Sequence, residues 1–241
     1  MRPSRSAQLS QPAADRWPAT SRWAGQLRFA LGWPHLGLSI GAGLLGWPGL
    51  AQSVGLSDRG LLIIGRACLP FLAILLAPGL VTREAASGTA ELVATSARGL
   101  HRVWLSRLLL WLFWAWATAL LFLVPVELRG SVRHGFAPEI LSSLLDLAIY
   151  ALFSTAIGYR LASETSGVLG GLFLWVGGVL VGLLPFGASW LTNATPLSVY
   201  LLGSVPALAA NRLGWALASA GLAIWLWRSL AQPERLLEGR E

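Results

Sequence analysis

The chain contains no lysine: all 18 of its basic residues are arginine. That excludes a nucleotide-binding P-loop within it, because the GxxxxGK[ST] pattern needs its lysine for the phosphates. It also excludes lysine Schiff-base chemistry. Charge of either sign is scarce, at 12% of residues against about 25% in an average soluble domain. Cysteine occurs once, as Cys68 in an apolar run, so no internal disulfide can form. The histidines His35, His101 and His134 are far apart, have no ligand spacing and read as structural or surface residues; no metal site is expected.

Apolar residues are abundant: 55% of the 241 positions are hydrophobic and 13 are tryptophan, with a mean hydropathy of +0.62. That is not the composition of a water-soluble domain with an oily core. The length suits roughly six membrane-spanning helices of about 20 residues each. A net charge of +7 then reads as arginine held in cytoplasmic loops, not as a nucleic-acid surface.

The expected fold is an all-α polytopic membrane protein. Residues 1–15 read as a disordered tail, and with no apolar core before Phe29 no cleaved export signal is expected. From Trp17 to Ala30, arginine alternates with Trp23, Leu27 and Phe29, which suits either an amphipathic helix on the membrane surface or a basic leader without structure. The membrane domain, 16–232, is expected to hold spans at about 35–54, 60–81, 108–126, 140–159, 167–186 and 213–230, followed by a polar tail at 233–241. Pro70 and Pro78 should kink the second span. Residues 197–210 are apolar but short and interrupted by Gly203 and Pro206, so they suit a re-entrant or interfacial segment. With both termini inside, thirteen arginines fall on inner segments and four, including Arg212, on outer ones, while Arg66 lies within a span. That asymmetry is the reason to orient the chain N-in and C-in.

The largest inner segment carries the most information. Gly88 should break the second helix, Thr89 can cap a new one, and Glu91 falls in its positive first turn. Residues 90–98 make about two turns, Arg98 suits the C-terminal end, and Gly99 is a natural residue to follow it. A short capped helix is therefore expected on the cytoplasmic side between spans two and three.

The same string resembles the permeases of type 2 ATP-binding-cassette (ABC) exporters. In that family a segment E…GT-x-E-L-x-x-x-[ST]-P, then a basic residue, then [GS]-[KR]-L-L, joins the second and third spans. Glu84, Gly88, Thr89, Glu91, Leu92, Ser96, Arg102, Ser106, Arg107, Leu108 and Leu109 match, while Ala97 stands where the family often has proline. Leu27-Arg28-Phe29 followed by Pro34 is similar to the family's interfacial helix leading into span one. The resemblance covers about residues 16–230 and is specific only at 83–109. It implies a permease without its own motor, paired with a second, identical or different, permease subunit. Separate ATPase subunits that bind ATP and Mg would dock on a coupling helix at 89–98, with Glu84, Gly88, Thr89, Glu91, Leu92, Ser96 and Arg98 as the coupling residues. The chain itself would be no enzyme and hold no cofactor. The location implied is a prokaryotic cytoplasmic membrane.

Two ionisable residues are expected inside spans, Arg66 and Asp146, at similar depth below the outer face. Such charges usually meet a partner or line a cavity, so the two approach each other or line the same cavity, or else Arg66 snorkels alone. Trp104, Trp111 and Trp114 recur at helical spacing and suit packing or lipid contact, with Trp111 and Trp114 as possible lining of a pathway. The GxxxG pairs Gly37/Gly41, Gly167/Gly171 and Gly178/Gly182 are expected to pack helices within the subunit. Two other functions remain open: an ion-coupled transporter or structural membrane subunit using Arg66 and Asp146, or an intramembrane enzyme. The enzyme would need paired catalytic groups in its spans, where Asp146 is the clear acid.

Overall fold

The computed structural model describes residues 70–86, 99–127, 136–183, 196 and 205–232. Among them there is no strand. A helical stretch at 70–76 passes through a break at Ala77 and Pro78 into α1 (Gly79–Ala86), followed by α2 (Gly99–Glu127), α3 (Phe136–Arg160), α4 (Glu164–Leu183) and α5 (Val205–Leu230). Among the described residues, four helices are long and apolar enough to cross a membrane: Gly99–Leu121, Ile140–Arg160, Glu164–Val181 and Pro206–Leu230. A shorter apolar helix runs from Pro70 to Thr82. The chain is an all-α protein built as an integral membrane protein. The tail at 1–15, the surface helix at 17–30, the span at 35–54, the coupling helix at 89–98 and the tail at 233–241 lie outside the described residues.

Local chemistry accounts for the breaks. Pro78 has no N–H to offer the Ile74 carbonyl, so the helix yields there. It resumes at once: the Val81 and Thr82 N–H groups both donate to the Pro78 carbonyl at 3.2 Å, and Thr82 Oγ1 donates to the same oxygen at 3.0 Å. Between α3 and α4 the chain reverses in three residues. Ala162 takes the left-handed conformation, with φ 48°. Its N–H donates to Tyr159 O at 3.2 Å, and that of Ser163 to Gly158 O at 3.0 Å, which is a Schellman closure. Ser163 Oγ then accepts from the Ser166 N–H at 3.2 Å and so caps α4. One serine ends one helix and starts the next.

Two boundaries differ from the sequence expectation. Helix α2 begins at Gly99, not at 108. Leu100, Trp104, Leu108, Trp111, Ala115 and Ala119 are all buried and form one continuous stripe, so the arginine-bearing residues ahead of 108 belong to the same packed helix. Ser106 satisfies its hydroxyl on Val103 O at 2.8 Å. Helix α5 begins at Val205, not at 213. Pro206 sits in its first turn, where a missing N–H costs nothing, so residues 205–210 belong to a span and not to a separate re-entrant piece.

The helices alternate in direction. Glycines bring α3 and α4 together antiparallel: a Cβ at Gly167 would stand 2.6 Å from Ser154 O, and one at Gly158 would stand 3.5 Å from Gly167 Cα. The 70–86 segment runs antiparallel to α4 as well, with Phe71 edge-on to Trp175 at 4.5 Å and Ile74 and Pro78 seated against Gly171 and Gly167. Trp116 Nε1 donates to Ile140 O at 3.3 Å, joining the late part of α2 to the early part of α3. His101 lies edge-on to Trp227 at 4.6 Å, joining the start of α2 to the end of α5. Helix α3 packs against every other described helix.

Helix α4 buries several of its glycines and turns a stripe of large residues outward. Gly167, Gly171 and Gly178 are buried, whereas Leu169, Phe173, Val176 and Leu180 form an exposed stripe on which Phe173 is 82% accessible. A lipid-facing helix has this pattern, because lipid is as apolar as leucine and close backbone approach supplies the packing.

These contacts set two expectations. Gly167→Ala should lower stability by roughly 1–3 kcal/mol despite alanine's better helix propensity, because the new methyl meets backbone. Gly177→Ala, with nothing within 4 Å, should be neutral or mildly stabilising. Ala162→Gly should raise stability by about 1 kcal/mol, by relieving the left-handed strain. Unfolding midpoints of the purified variants in one detergent would check all three.

Candidate functional site: a buried charge pair between α3 and α5

Asp146 lies on α3 and Arg212 on α5. Each is about 9 Å along its helix from the start of the apolar span, at Ile140 and Pro206, given a rise of about 1.5 Å per residue. Their side chains meet: Arg212 Nη1 donates to Asp146 Oδ1. Side-chain accessibility is 12% for the arginine and 3% for the aspartate. Arg212 Nη2 donates in addition to Pro196 O at 3.3 Å, so one guanidinium ties α5 both to α3 and to the segment ahead of α5.

Polar residues are buried close by in the chain: Ser142 and Ser143 one turn before Asp146, and Asn211 next to Arg212. Ser143 turns its hydroxyl back onto Ile140 O at 2.6 Å. Tyr150, one turn beyond Asp146, is fully buried and within electrostatic reach of both charges. Among the described residues the Tyr150 hydroxyl meets no hydrogen-bond partner.

A second contact fixes the other end of the same helix pair: Tyr159 Oη donates to Ser229 O at 3.0 Å. Asp146 with Arg212 and Tyr159 with Ser229 therefore define α3 and α5 as parallel neighbours. The arrangement can hold two charges inside an apolar layer and fix the rotation and register of the two helices that carry them.

The sequence-expected site residues fall as follows. Asp146 is in the pair, but Arg66 lies outside the described residues. The arginine that meets Asp146 is Arg212, a residue that charge counting places on an outer segment. Glu84 is near the end of α1, whereas Gly88, Thr89, Glu91, Leu92, Ser96 and Arg98 lie outside the described residues. Gly99 has φ 67°, so the chain takes a left-handed conformation at the first residue of α2. Trp104 and Trp111 are buried in the helix core, and Trp114 is half-buried. Among the described residues no three His, Cys, Asp or Glu side chains are grouped to hold a metal ion.

Arg212 was the residue sequence reasoning missed. The available signal was its depth: with the last span begun at Pro206, Arg212 and Asp146 stand equally far from the same end of two parallel helices.

Removing one partner leaves a buried charge uncompensated. Arg212→Gln or Asp146→Asn should each cost about 3–5 kcal/mol, with the double variant costing clearly less than the sum. A double-mutant cycle of unfolding free energies in detergent micelles measures this. No protein-family model matches the chain, and no curated protein matches it either.

Proposed function

We propose that this chain is the permease subunit of a type 2 ABC exporter, forming half of a translocation pathway and driven by separate ATPase subunits. The observation that carries the reading is the segment from Glu84 through Gly88, Thr89, Glu91, Leu92 and Ser96 to Arg107-Leu108-Leu109. Its flanks support the reading. Residues 87–98 connect the end of α1 to the start of α2, and the left-handed Gly99 suits the exit from a short helix ahead of α2.

The distribution of arginine supports the orientation. Arg83, Arg102, Arg107, Arg160 and Arg228 all belong to the end of the bundle where 87–98 connects, while Arg212 is near the opposite end. By the positive-inside rule the arginine-rich end faces the cytoplasm, the side from which an ATPase would dock. A prokaryotic cytoplasmic membrane is the location this reading implies. A chain without lysine has no P-loop, so ATP and Mg belong to the partner. Two permease subunits, identical or different, complete the pathway.

Tagged full-length chain, purified in mild detergent from its own host, tests the proposal. We expect a P-loop-bearing ATPase subunit to co-purify in stoichiometric amount. We expect Glu91→Ala or Gly88→Val to reduce its recovery at least tenfold without lowering the helicity of the permease. Transport by the chain alone without ATP, or recovery unchanged by both substitutions, would overturn it.

A further inference from the structure

The arginine-rich end of the bundle carries a second feature. Arg160 is the last residue of α3 and Arg228 lies in the last turn of α5. Their neighbours in the chain are in contact: Tyr159 Oη donates to Ser229 O at 3.0 Å, and Tyr159 stands edge-on to Trp225 at 6.0 Å. On its other side, Arg228 adjoins Trp227, which holds His101 of α2 at 4.6 Å. The backbone positions of both arginines are thus fixed beside each other by the packing of α3 on α5. Both side chains are exposed, and among the described residues neither makes an ion pair or hydrogen bond.

The surface adjoining these charges is apolar. Ile224, Trp225 and Arg228 share one face of α5 at helical spacing, with Ile224 54% and Trp225 41% accessible. Leu161, next to Arg160, is 60% accessible. A pair of guanidinium groups at the interface, continued towards the middle of the membrane by an exposed indole and isoleucine, matches one ligand shape: an anionic headgroup on an acyl chain. Guanidinium groups bind phosphate oxygens through paired N–H donors, and tryptophan is favoured at headgroup level. A free phosphate would use the charges and leave the apolar wall without a role.

We propose that the Arg160–Arg228 edge of the α3/α5 seam binds an anionic phospholipid, its phosphate between the two guanidinium groups and its acyl chain along Trp225 and Ile224. Arg102, exposed on α2 beside His101, adds positive potential at the same end. The site is independent of what the chain transports and of whether an ATPase drives it.

Native mass spectrometry of the full chain, with phosphatidylglycerol and phosphatidylcholine of identical acyl chains added in equal amount, tests this. The unaltered protein should retain phosphatidylglycerol preferentially, and Arg160→Gln with Arg228→Gln should lower that preference roughly tenfold to thirtyfold. Arg160→Lys with Arg228→Lys should keep most of it, which separates loss of charge from loss of fold. Arg235→Gln with Arg240→Gln removes the same net charge from the C-terminal tail and should change little. An equal loss in the tail variant would replace the site by a general charge effect. An unchanged preference in the Arg160/Arg228 glutamine variant would remove the site altogether. Complete displacement of the lipid by excess soluble glycerol phosphate would contradict the role given to Trp225 and Ile224.

Discussion

The Asp146–Arg212 pair is the interaction that the described helix arrangement depends on most. Neither residue could stand alone at its depth in an apolar layer, where an isolated charge costs several kcal/mol. Each is admissible only because the other is there. That mutual dependence holds α3 and α5 side by side, and together with the Tyr159–Ser229 contact it sets them in the same direction. Helices α2 and α4 then run the opposite way, and the 70–86 segment finds its place against the glycine face of α4. A buried ion pair is poor at adding stability over an apolar pair, so its value here lies in specifying which helices meet and in what register.

Packing elsewhere follows from the same solvent. Within lipid there is no hydrophobic drive between helices, so contact must come from close approach and from satisfied polar groups. Glycine supplies the first along α3 and α4, at Gly158, Gly167 and Gly171. Hydroxyl and indole groups supply the second. Ser154 donates to Tyr150 O at 2.6 Å within α3, and Trp116 and Tyr159 reach across to the backbone of neighbouring helices. The large side chains displaced from these seams turn outward, which is why α4 looks inverted beside a helix of a soluble protein.

Much of this was legible in the sequence, for identifiable reasons. The apolar runs of α3 and α4 are bounded by turn residues, so their ends are found to within a few positions. The Pro78 break and the packing role of Gly167 and Gly171 follow from residue type alone. The early part of α2 was not legible because hydropathy reads its arginines as a loop, and that of α5 because Gly203 and Pro206 interrupt a short apolar run. The buried stripe through Leu100 and Trp104 needs the partner helix to reveal it. Arg212 needs Asp146, distant in sequence and with no local signal linking the two. The burial of Trp111 likewise follows from the helices around it, not from its spacing to Trp104.

The proposed function and the proposed lipid site both draw on the arginine-rich end of a bundle whose helices alternate in direction. That geometry is the central claim, and the parallel order of α3 and α5 is its most exposed part. Pulsed electron resonance between spin labels at Leu141 and Leu213, compared with labels at Leu141 and Arg228, measures it in a Cys68→Ser background. The account predicts that the Leu141–Leu213 pair is closer by more than ~10 Å, as the rise of the two helices requires. The reverse order, with Leu141 nearer to Arg228, would contradict it.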